Sequence, residues 1–172
     1  MAADIFIKLT GKTGVPKGDA TEKAHAGWFV AKSLSWGMER SVDTEDLGSQ
    51  QRGYGNAKFN KIVLTSELGT GSVLLAQAAA SGTNYTTVQI DLCRATGDGA
   101  TGLQVYLTYI LKDAIVFKWD MSAAESDVPT ENWELAYRQV GLTYQPVDND
   151  MKLLTPEKFG WDTVEQIYTT VA

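Results

Sequence analysis

The sequence predicts a single, mainly β domain, either a β-barrel or a β-sandwich, with one α-helix. Six or seven segments alternate apolar and polar residues and are separated by turn signals, which is typical of antiparallel strands. One stretch, from Ser72 to Ala80, is instead rich in alanine and leucine, which favour a helix. The 172 residues suffice for one domain, numbered 1–172, because no linker, repeat or low-complexity segment divides them.

The strands are predicted from their period of two. They cover approximately residues 5–9, 26–36, 58–65, 88–93, 103–119 and 131–144. In the long fifth run the alternation breaks at Lys112 and Asp113 and then resumes. In the last strand the apolar set changes parity near Arg138 and Gln139, which predicts a β-bulge or bend there.

The second strand is predicted to bury one face only. Its bulky residues, Trp28, Val30, Leu34 and Trp36, fall on even positions and are expected to face the core. The odd positions near its end carry small residues, among them Ser33 and Ser35.

The helix is unusual because it has no charged face. Ser72 is expected to cap its start, and Gly82 stands where a helix commonly ends. Gln77 is the one polar residue between Val73 and Ala80. A helix that is apolar all round is normally buried on several sides, either by its own domain or by a second chain.

Composition excludes several classes of protein. The net charge of −6 argues against binding to nucleic acids or to anionic membranes. A single cysteine, Cys93, and a single histidine, His25, allow neither a disulfide framework nor a structural zinc site. The N-terminus lacks the features of a secretory signal peptide, and no run of about 20 apolar residues predicts a membrane span.

Motifs for nucleotide or calcium binding are better explained by turns. Residues 97–102 fit the spacing G-x-G-x-x-G, but a β-type run follows where a dinucleotide site needs a helix, so a hairpin is predicted. Residues 43–48 begin like a calcium loop, but Leu47 and Tyr54 stand where oxygen ligands are required.

Catalytic and sugar-binding roles are also disfavoured. His25 has no nucleophile motif to accompany it, and Cys93 is interpreted as a structural thiol. Four of the five tryptophans fall on apolar strand faces, so they are interpreted as core or interface residues, with Trp161 as the exception. We therefore predict no catalytic, metal-binding or cofactor-binding residues.

Three features are left without a catalytic or ligand-binding explanation: the all-apolar helix, the long strand at 103–119 and the long polar loop at 38–57. Self-assembly of the chain explains all three, because it would cover apolar surface and strand edges and give the loop a role. Cyclic homo-oligomers are a common way to cover such surfaces.

Particular residues resemble the hemolysin-coregulated protein (Hcp) family, which forms the tube of type VI secretion systems. The resemblance covers most of the chain and depends on the order and spacing of short segments. These are residues 3–8, Gly18-Asp19, His25 with Trp36-Gly37, residues 58–65 with the following helix, residues 106–116, residues 131–146 and residues 158–161.

The resemblance implies a β-barrel with one helix on its side, similar to phage tail tubes. It implies a non-enzymatic tube subunit that closes into homohexameric rings, which stack into a tube expelled by a contractile sheath. The implied partners are further copies of the chain, a spike protein at the tip, the sheath and effector proteins in the lumen. No nucleic acid partner, membrane insertion or cofactor is implied. The protein would be cytoplasmic when assembled and then secreted without a signal peptide.

Three groups of residues are expected to serve assembly. Ser33 and Ser35 are expected to face the lumen, because a pore that passes cargo should be polar and unobstructed. The helix is expected to contact a neighbouring subunit through Leu74, Leu75, Ala78 and Ala79. The loop at 38–57 is expected to mediate ring stacking, through Glu39, Arg40, Asp43, Glu45, Asp46 and Tyr54.

Two alternatives remain open from the sequence. One is a phage-derived or other contractile-injection tail tube protein. The other, of a different class, is a carbohydrate-binding β-sandwich module.

Overall fold

A computed structural model describes residues 4–12, 14–40, 56–96, 102–150 and 152–171. Within these ranges the chain is mainly β, with one helix, as the sequence predicts. The elements are β1 (Asp4–Thr10), β2 (Phe29–Ser35), β3 (Met38–Arg40), β4 (Ala57–Phe59), β5 (Ile62–Glu67), α1 (Ser72–Ser81), β6 (Asn84–Ala95), β7 (Leu103–Ser122), β8 (Thr130–Ala136), β9 (Gln139–Tyr144), β10 (Glu157–Asp162) and β11 (Ile167–Tyr168).

Six strands close into an antiparallel barrel in the order β7-β6-β1-β2-β5-β8, and β8 pairs back onto β7. Closure removes the open sheet edges that would otherwise invite pairing with other chains. The predicted β-barrel with one helix is therefore confirmed.

Strand β7 closes the barrel because it is 20 residues long. Its first part pairs with β6 on one edge and with β9 on the other, and its second part pairs with β8. Between these parts Asp113 has a left-handed backbone with φ of 49°. This residue stands where the sequence pattern breaks at Lys112 and Asp113. The pattern was expected to resume with Ile115, Phe117 and Trp119, but beyond Asp113 the buried side chains are Ala114 and Val116, and Phe117 is exposed.

The predicted parity change near Arg138 marks the boundary between two strands. β8 ends at Ala136 and β9 begins at Gln139, and both lie along the same edge of β7. The backbone amide of Arg138 donates to the carbonyl of Lys112 over 3.1 Å, which holds the junction against β7. At this junction β8 continues the barrel while β9 leaves it.

The main core lies inside the barrel. Its buried side chains come from all six barrel strands and from α1, and the fully buried ones include Ile7, Leu64, Leu75, Ile90, Leu111, Val116, Trp133 and Leu135. A second, smaller core lies on the outer face of β1 and β6, where Phe6, Ala20 and Cys93 are buried together.

The prediction for the second strand was wrong over its first half. Phe29 and Ala31 are buried, whereas Val30 is 46% exposed. The register of β2 against β5 shifts between Ala31 and Ser33, and this irregularity transfers the inward position from odd to even residues. Leu34, beyond the shift, packs against the core as expected.

The helix begins differently from the prediction and ends as predicted. Gly71, not Ser72, occupies the N-cap position, and the Ser72 hydroxyl instead accepts from the Gly69 amide over 2.9 Å. A Cβ atom on Gly71 would lie 2.4 Å from the Phe29 ring, so the tight approach excludes a capping side chain. Gly82 ends the helix with φ of 66° and donates its amide to the carbonyl of Ala78 over 2.9 Å.

The C-terminal segment contains strands that the sequence did not predict. β10 pairs with β9, and the short β11 pairs with β10, which extends the sheet beyond the barrel. Trp161 on β10 stacks on Phe59 and contacts Tyr168. The polar segment at 38–57 begins and ends in a two-stranded ribbon formed by β3 and β4.

Candidate assembly surfaces

Helix α1 has one buried side and one exposed side. Leu75 and Ala78 are buried in the core of the chain itself, and Ala79 is half-buried against it. On the other side Val73 is 77% exposed and Leu74 is 39% exposed. The expected set of interface residues therefore needs a correction: Leu75 and Ala78 offer no surface to a neighbour, because β-strand side chains already cover them.

The start of α1 is fixed by the loop between β1 and β2, residues 14–28, which we call the clasp loop. Asp19 in this loop accepts from both the hydroxyl and the backbone amide of Thr70, the latter over 2.8 Å. These bonds lower the pKa of Asp19 below its ordinary value. The exposed residues Val73 and Leu74 are thus presented from a fixed position.

Ser33 and Ser35 lie together on the outer face of the barrel. They belong to a surface that we call the polar sheet face, which consists of the outward residues of β2, β5, β8 and the end of β7. Its members are Ser33, Ser35, Val63, Thr65, Lys118, Asp120, Asn132 and Glu134.

Hydrogen bonds run across the polar sheet face from strand to strand. Thr65 donates to the side-chain oxygen of Asn132 over 2.7 Å, and Asn132 donates to Asp120 over 3.4 Å. Lys118 forms an ion pair with Asp120 at 3.2 Å. The face is therefore mainly hydrophilic, and four of its polar side chains, those of Thr65, Asn132, Asp120 and Lys118, have partners within the chain.

The sheet extension carries a second group of exposed apolar side chains. Tyr168 on β11 is 78% exposed, and Val164 and Ile167 nearby are also exposed. A groove of about 600 Å³ lies beside them, lined by Leu142, Thr143, Lys158, Phe159, Gly160 and residues 168–171. Sequence reasoning did not single out this surface, because β11 has only two residues, Ile167 and Tyr168, which is too short for a recognisable strand pattern.

Asp162 holds this extension against the barrel. Its carboxylate accepts from Gln139 over 2.8 Å, from Arg138 over 3.2 Å, and from the backbone amides of Val164 and Glu165 over 2.9 Å each. The Glu165 amide and the Gln139 side chain are the main reasons why the pKa of Asp162 falls to about 2.

Only part of the expected stacking loop lies within the described residues. Glu39 and Arg40 are exposed on β3, and Glu39 lies 4.0 Å from Lys58 on β4. The other expected residues, Asp43, Glu45, Asp46 and Tyr54, lie outside the described residues, as do residues 43–48 with their likeness to a calcium loop.

His25 and Cys93 lie in the small outer core. His25 is buried between Phe6 and Trp28 and contacts the carboxylates of Glu22 and Asp91. Burial, followed by the nearby charge of Asp91, raises the pKa of the Cys93 thiol to about 12, so it is a poor nucleophile. Among the described residues, no group of His, Cys, Asp and Glu is arranged to hold a metal ion.

The tryptophans pack within the chain. Trp133 is fully buried, and Trp36 donates to the Tyr137 hydroxyl over 2.6 Å. Trp119 donates to buried Glu131 over 2.9 Å. Trp161, expected to lack an apolar face, stacks on Phe59 instead. This packing does not favour a flat aromatic platform for sugars.

Residues 97–101 of the glycine-rich motif lie outside the described residues, and the elements on either side of them are both strands. Ala95 on β6 pairs with Leu103 on β7, and a strand rather than a helix follows Gly102. The dinucleotide interpretation lacks the helix that would bind the pyrophosphate.

Together these observations define a class of fold: a closed six-stranded antiparallel barrel with a side helix and a sheet extension. A solved structure described as a type six secretion system protein is 26% identical, with a TM-score of 0.86, over 98% of this chain and 100% of that one. Hcp1 from Salmonella typhimurium is 19% identical, with a TM-score of 0.73, over 98% and 100% of the two chains. The secreted protein Hcp3 from Pseudomonas aeruginosa is 20% identical, with a TM-score of 0.61, over 91% and 97%.

The family model described as "Type VI secretion system effector, Hcp" matches residues 6–144. The chain therefore belongs to the Hcp family. No curated protein sequence matches it. Family membership supports a tube or effector protein of type VI secretion, in a family of secreted structural proteins that self-assemble. Among the described residues no helix reaches the length and apolar character that spanning a bilayer requires.

Proposed function

We propose that this protein is a structural, non-enzymatic tube subunit of a type VI secretion system. It assembles into hexameric rings, and the rings stack into a tube that sheath contraction expels. The observation that carries the proposal is the apolar surface left uncovered on the single chain, above all Val73 on α1 and Tyr168 on β11.

These apolar side chains favour association because covering them removes apolar area from water, at about 25 cal/mol per Å². Both side chains are more than three-quarters exposed in the isolated chain. Scattered apolar residues are normal on a monomer, but here they accompany membership of a self-assembling family. Of the four interface residues expected from the sequence, Leu74 and Ala79 remain proposed contacts, and Val73 joins them.

The polar sheet face is the proposed wall of the lumen, with Ser33 and Ser35 as its smallest side chains. Thr65, Asn132 and Asp120 on this face are hydrogen-bonded to one another, and the face offers cargo a mainly hydrophilic surface.

Ring stacking is proposed to involve the segment that begins and ends in the β3–β4 ribbon. Glu39 and Arg40 at its start are charged and exposed, and Asp43, Glu45, Asp46 and Tyr54 follow in the sequence. Contacts made by such residues would be electrostatic and therefore sensitive to salt.

The remaining partners are proposed from the family. They are a spike protein at the tube tip, a contractile sheath around the tube and secreted effectors inside it. The protein would assemble in the cytoplasm and leave the cell during sheath contraction.

Electron microscopy of the purified chain tests the proposal. Ring-shaped particles with six-fold symmetry and an open centre are expected. Particles of single-barrel size at every concentration examined would contradict ring assembly.

A further inference from the structure

His25 stands between two carboxylates in the small outer core. Its Nδ1 atom lies 2.5 Å from Glu22 Oε2, and its Nε2 atom lies 3.2 Å from Asp91 Oδ2. His25 and Asp91 are both more than nine-tenths buried. Glu22 and His25 belong to the clasp loop, whereas Asp91 belongs to barrel strand β6, so the imidazole joins the loop to the barrel.

The hydrogen bonds that Glu22 and Asp91 already accept bear on the charge of the His25 imidazole. An ionised carboxylate only accepts hydrogen bonds, and a neutral imidazole has one nitrogen that donates and one that accepts. Asp91 already accepts from Thr108 over 2.9 Å and from Gln89 over 3.0 and 3.1 Å. Glu22 already accepts from the amides of Ala24 and His25 over 3.0 Å each.

With Glu22 and Asp91 both ionised, a neutral imidazole would place one lone pair directly against a carboxylate oxygen. Adding the second proton converts this repulsion into a second charge-assisted hydrogen bond. The Phe6 ring, stacked on the imidazole with centroids 4.3 Å apart, also favours a cation.

We propose that His25 is a buried imidazolium ion, paired with Glu22 and Asp91, and that its second proton makes docking of the clasp loop dependent on pH. While the ring is doubly protonated, it holds the loop to β6. As pH rises and the ring loses a proton, one carboxylate contact becomes repulsive and the loop loosens. This inference concerns the single chain and does not rest on ring assembly.

The other groups around His25 are consistent with a single titrating switch. From β6, Cys93 Sγ lies 4.0 Å from Nε2, but its thiol stays neutral because its pKa is about 12. From β1, Lys8 lies over the Trp28 ring at 5.6 Å, and Asp4 lies close enough to influence Cys93. Hydrogen bonds from the Ala24 amide and from His25 lower the pKa of Glu22, so it stays ionised as pH rises.

The loop supplies its own reporters of docking. Three of its backbone hydrogen bonds serve this purpose. The Gly18 amide donates to the Gly27 carbonyl over 2.9 Å, and the Gly27 amide donates to the Ala20 carbonyl over 2.8 Å. The Ala20 amide donates to the Trp28 carbonyl over 3.0 Å. Their exchange with solvent measures opening of the loop, whereas amides of β1 and β6 measure opening of the barrel.

Amide hydrogen exchange across a pH series, corrected for intrinsic rates, tests the proposal together with nitrogen NMR of the imidazole. We expect both ring nitrogens to carry protons on the acidic side of the series. Protection at the three loop amides should fall about tenfold when the second proton leaves, because one charge-assisted hydrogen bond is then lost. Protection in β1 and β6 should not change.

His25→Gln is the matched control, because it retains a buried polar side chain but cannot carry the charge. In this variant the loop amides should exchange faster and without the pH step. A single ring proton at all pH values in the wild-type protein would overturn the proposal. A pH step in loop-amide protection that is unchanged in His25→Gln would also overturn the proposal. If the variant does not fold, the NMR result on the wild-type protein decides between the two outcomes.

Discussion

Asp19 accepts hydrogen bonds from both the hydroxyl and the backbone amide of Thr70, and so ties the clasp loop to the start of helix α1. The two residues are 51 positions apart in the sequence. The glycines around them permit this approach: a Cβ atom on Gly69 would lie 2.3 Å from the Asp19 carboxylate. The orientation of the exposed helix face therefore depends on a polar contact outside the core.

Asp19→Ala should lower the free energy of unfolding by about 1 kcal/mol, because two hydrogen bonds to a charged but exposed group are lost. Chemical denaturation measures this change. Thr21→Ala, in the same loop and also exposed, is the control and should have little effect. Equal stability of the two variants would show that the contact with Thr70 contributes nothing.

Val73→Glu should break the oligomer without unfolding the barrel, because the side chain points away from the core. Ala78→Glu should instead destabilise the fold by several kcal/mol, because it buries an unpaired charge. Size-exclusion chromatography and thermal melting separate the two effects. Thr155→Glu, on an exposed loop, controls for added charge. A Val73→Glu variant that remains fully oligomeric would remove this residue from the interface.

Gly160→Ala should displace the C-terminal segment, because a Cβ atom there would lie 2.0 Å from the carbonyl oxygen of Thr169. A steric conflict with the backbone of this kind costs about 1–3 kcal/mol. Gly37→Ala is the control, since its nearest neighbour would be Asn60 at 3.7 Å. Thermal melting should show a lower midpoint for Gly160→Ala alone; equal midpoints would contradict the tight packing of this segment.

Acid should release the turn after β10. The pKa of Asp162 in the fold is about 2, below its ordinary value of 3.8, so its contribution is present above pH 4 and is lost as pH falls toward 2. Exchange of the Val164 and Glu165 amides, which donate to Asp162, should increase over this range. In Asp162→Asn these two amides should be less protected from exchange, and their protection should not change between pH 4 and pH 2. The same change with pH in that variant would show that another group titrates.

Ser35→Gln should leave rings intact but weaken cargo retention, because a longer side chain on the polar sheet face narrows the proposed lumen. Co-purification of effectors with the ring measures the effect. Thr155→Gln, on an exposed loop outside that face, is the control. Unchanged co-purification in the Ser35 variant would argue against a lumen position.

The sequence predicts the strands best where the alternation is long and uninterrupted. The extent of β7 could be predicted because alternation runs through most of residues 103–119, but its inward face beyond Asp113 could not, since Val116 is buried there and Phe117 is exposed. β2 was assigned the wrong face at Val30, since a register shift after Ala31 leaves no signal in a single sequence. Tertiary pairing thus decided the inward face where the local pattern was ambiguous.

For the candidate assembly surfaces too, tertiary contacts decided which residues are exposed. The missing polar face of α1 predicted a helix that a neighbouring subunit partly covers, but not that Leu75 would point inward and Val73 outward, because helix orientation is set by packing on β7. The extension formed by β10 and β11 depends on Gly141 and Gly160 accepting the chain at 169–171, a contact between distant segments.

The central claim is that this chain acts by assembling into a closed ring. Native mass spectrometry of the purified protein tests it most directly, since it counts the subunits in each complex. The account predicts a dominant species with six copies of the 18.7 kDa chain. A monomer that persists as the protein concentration is raised would contradict it.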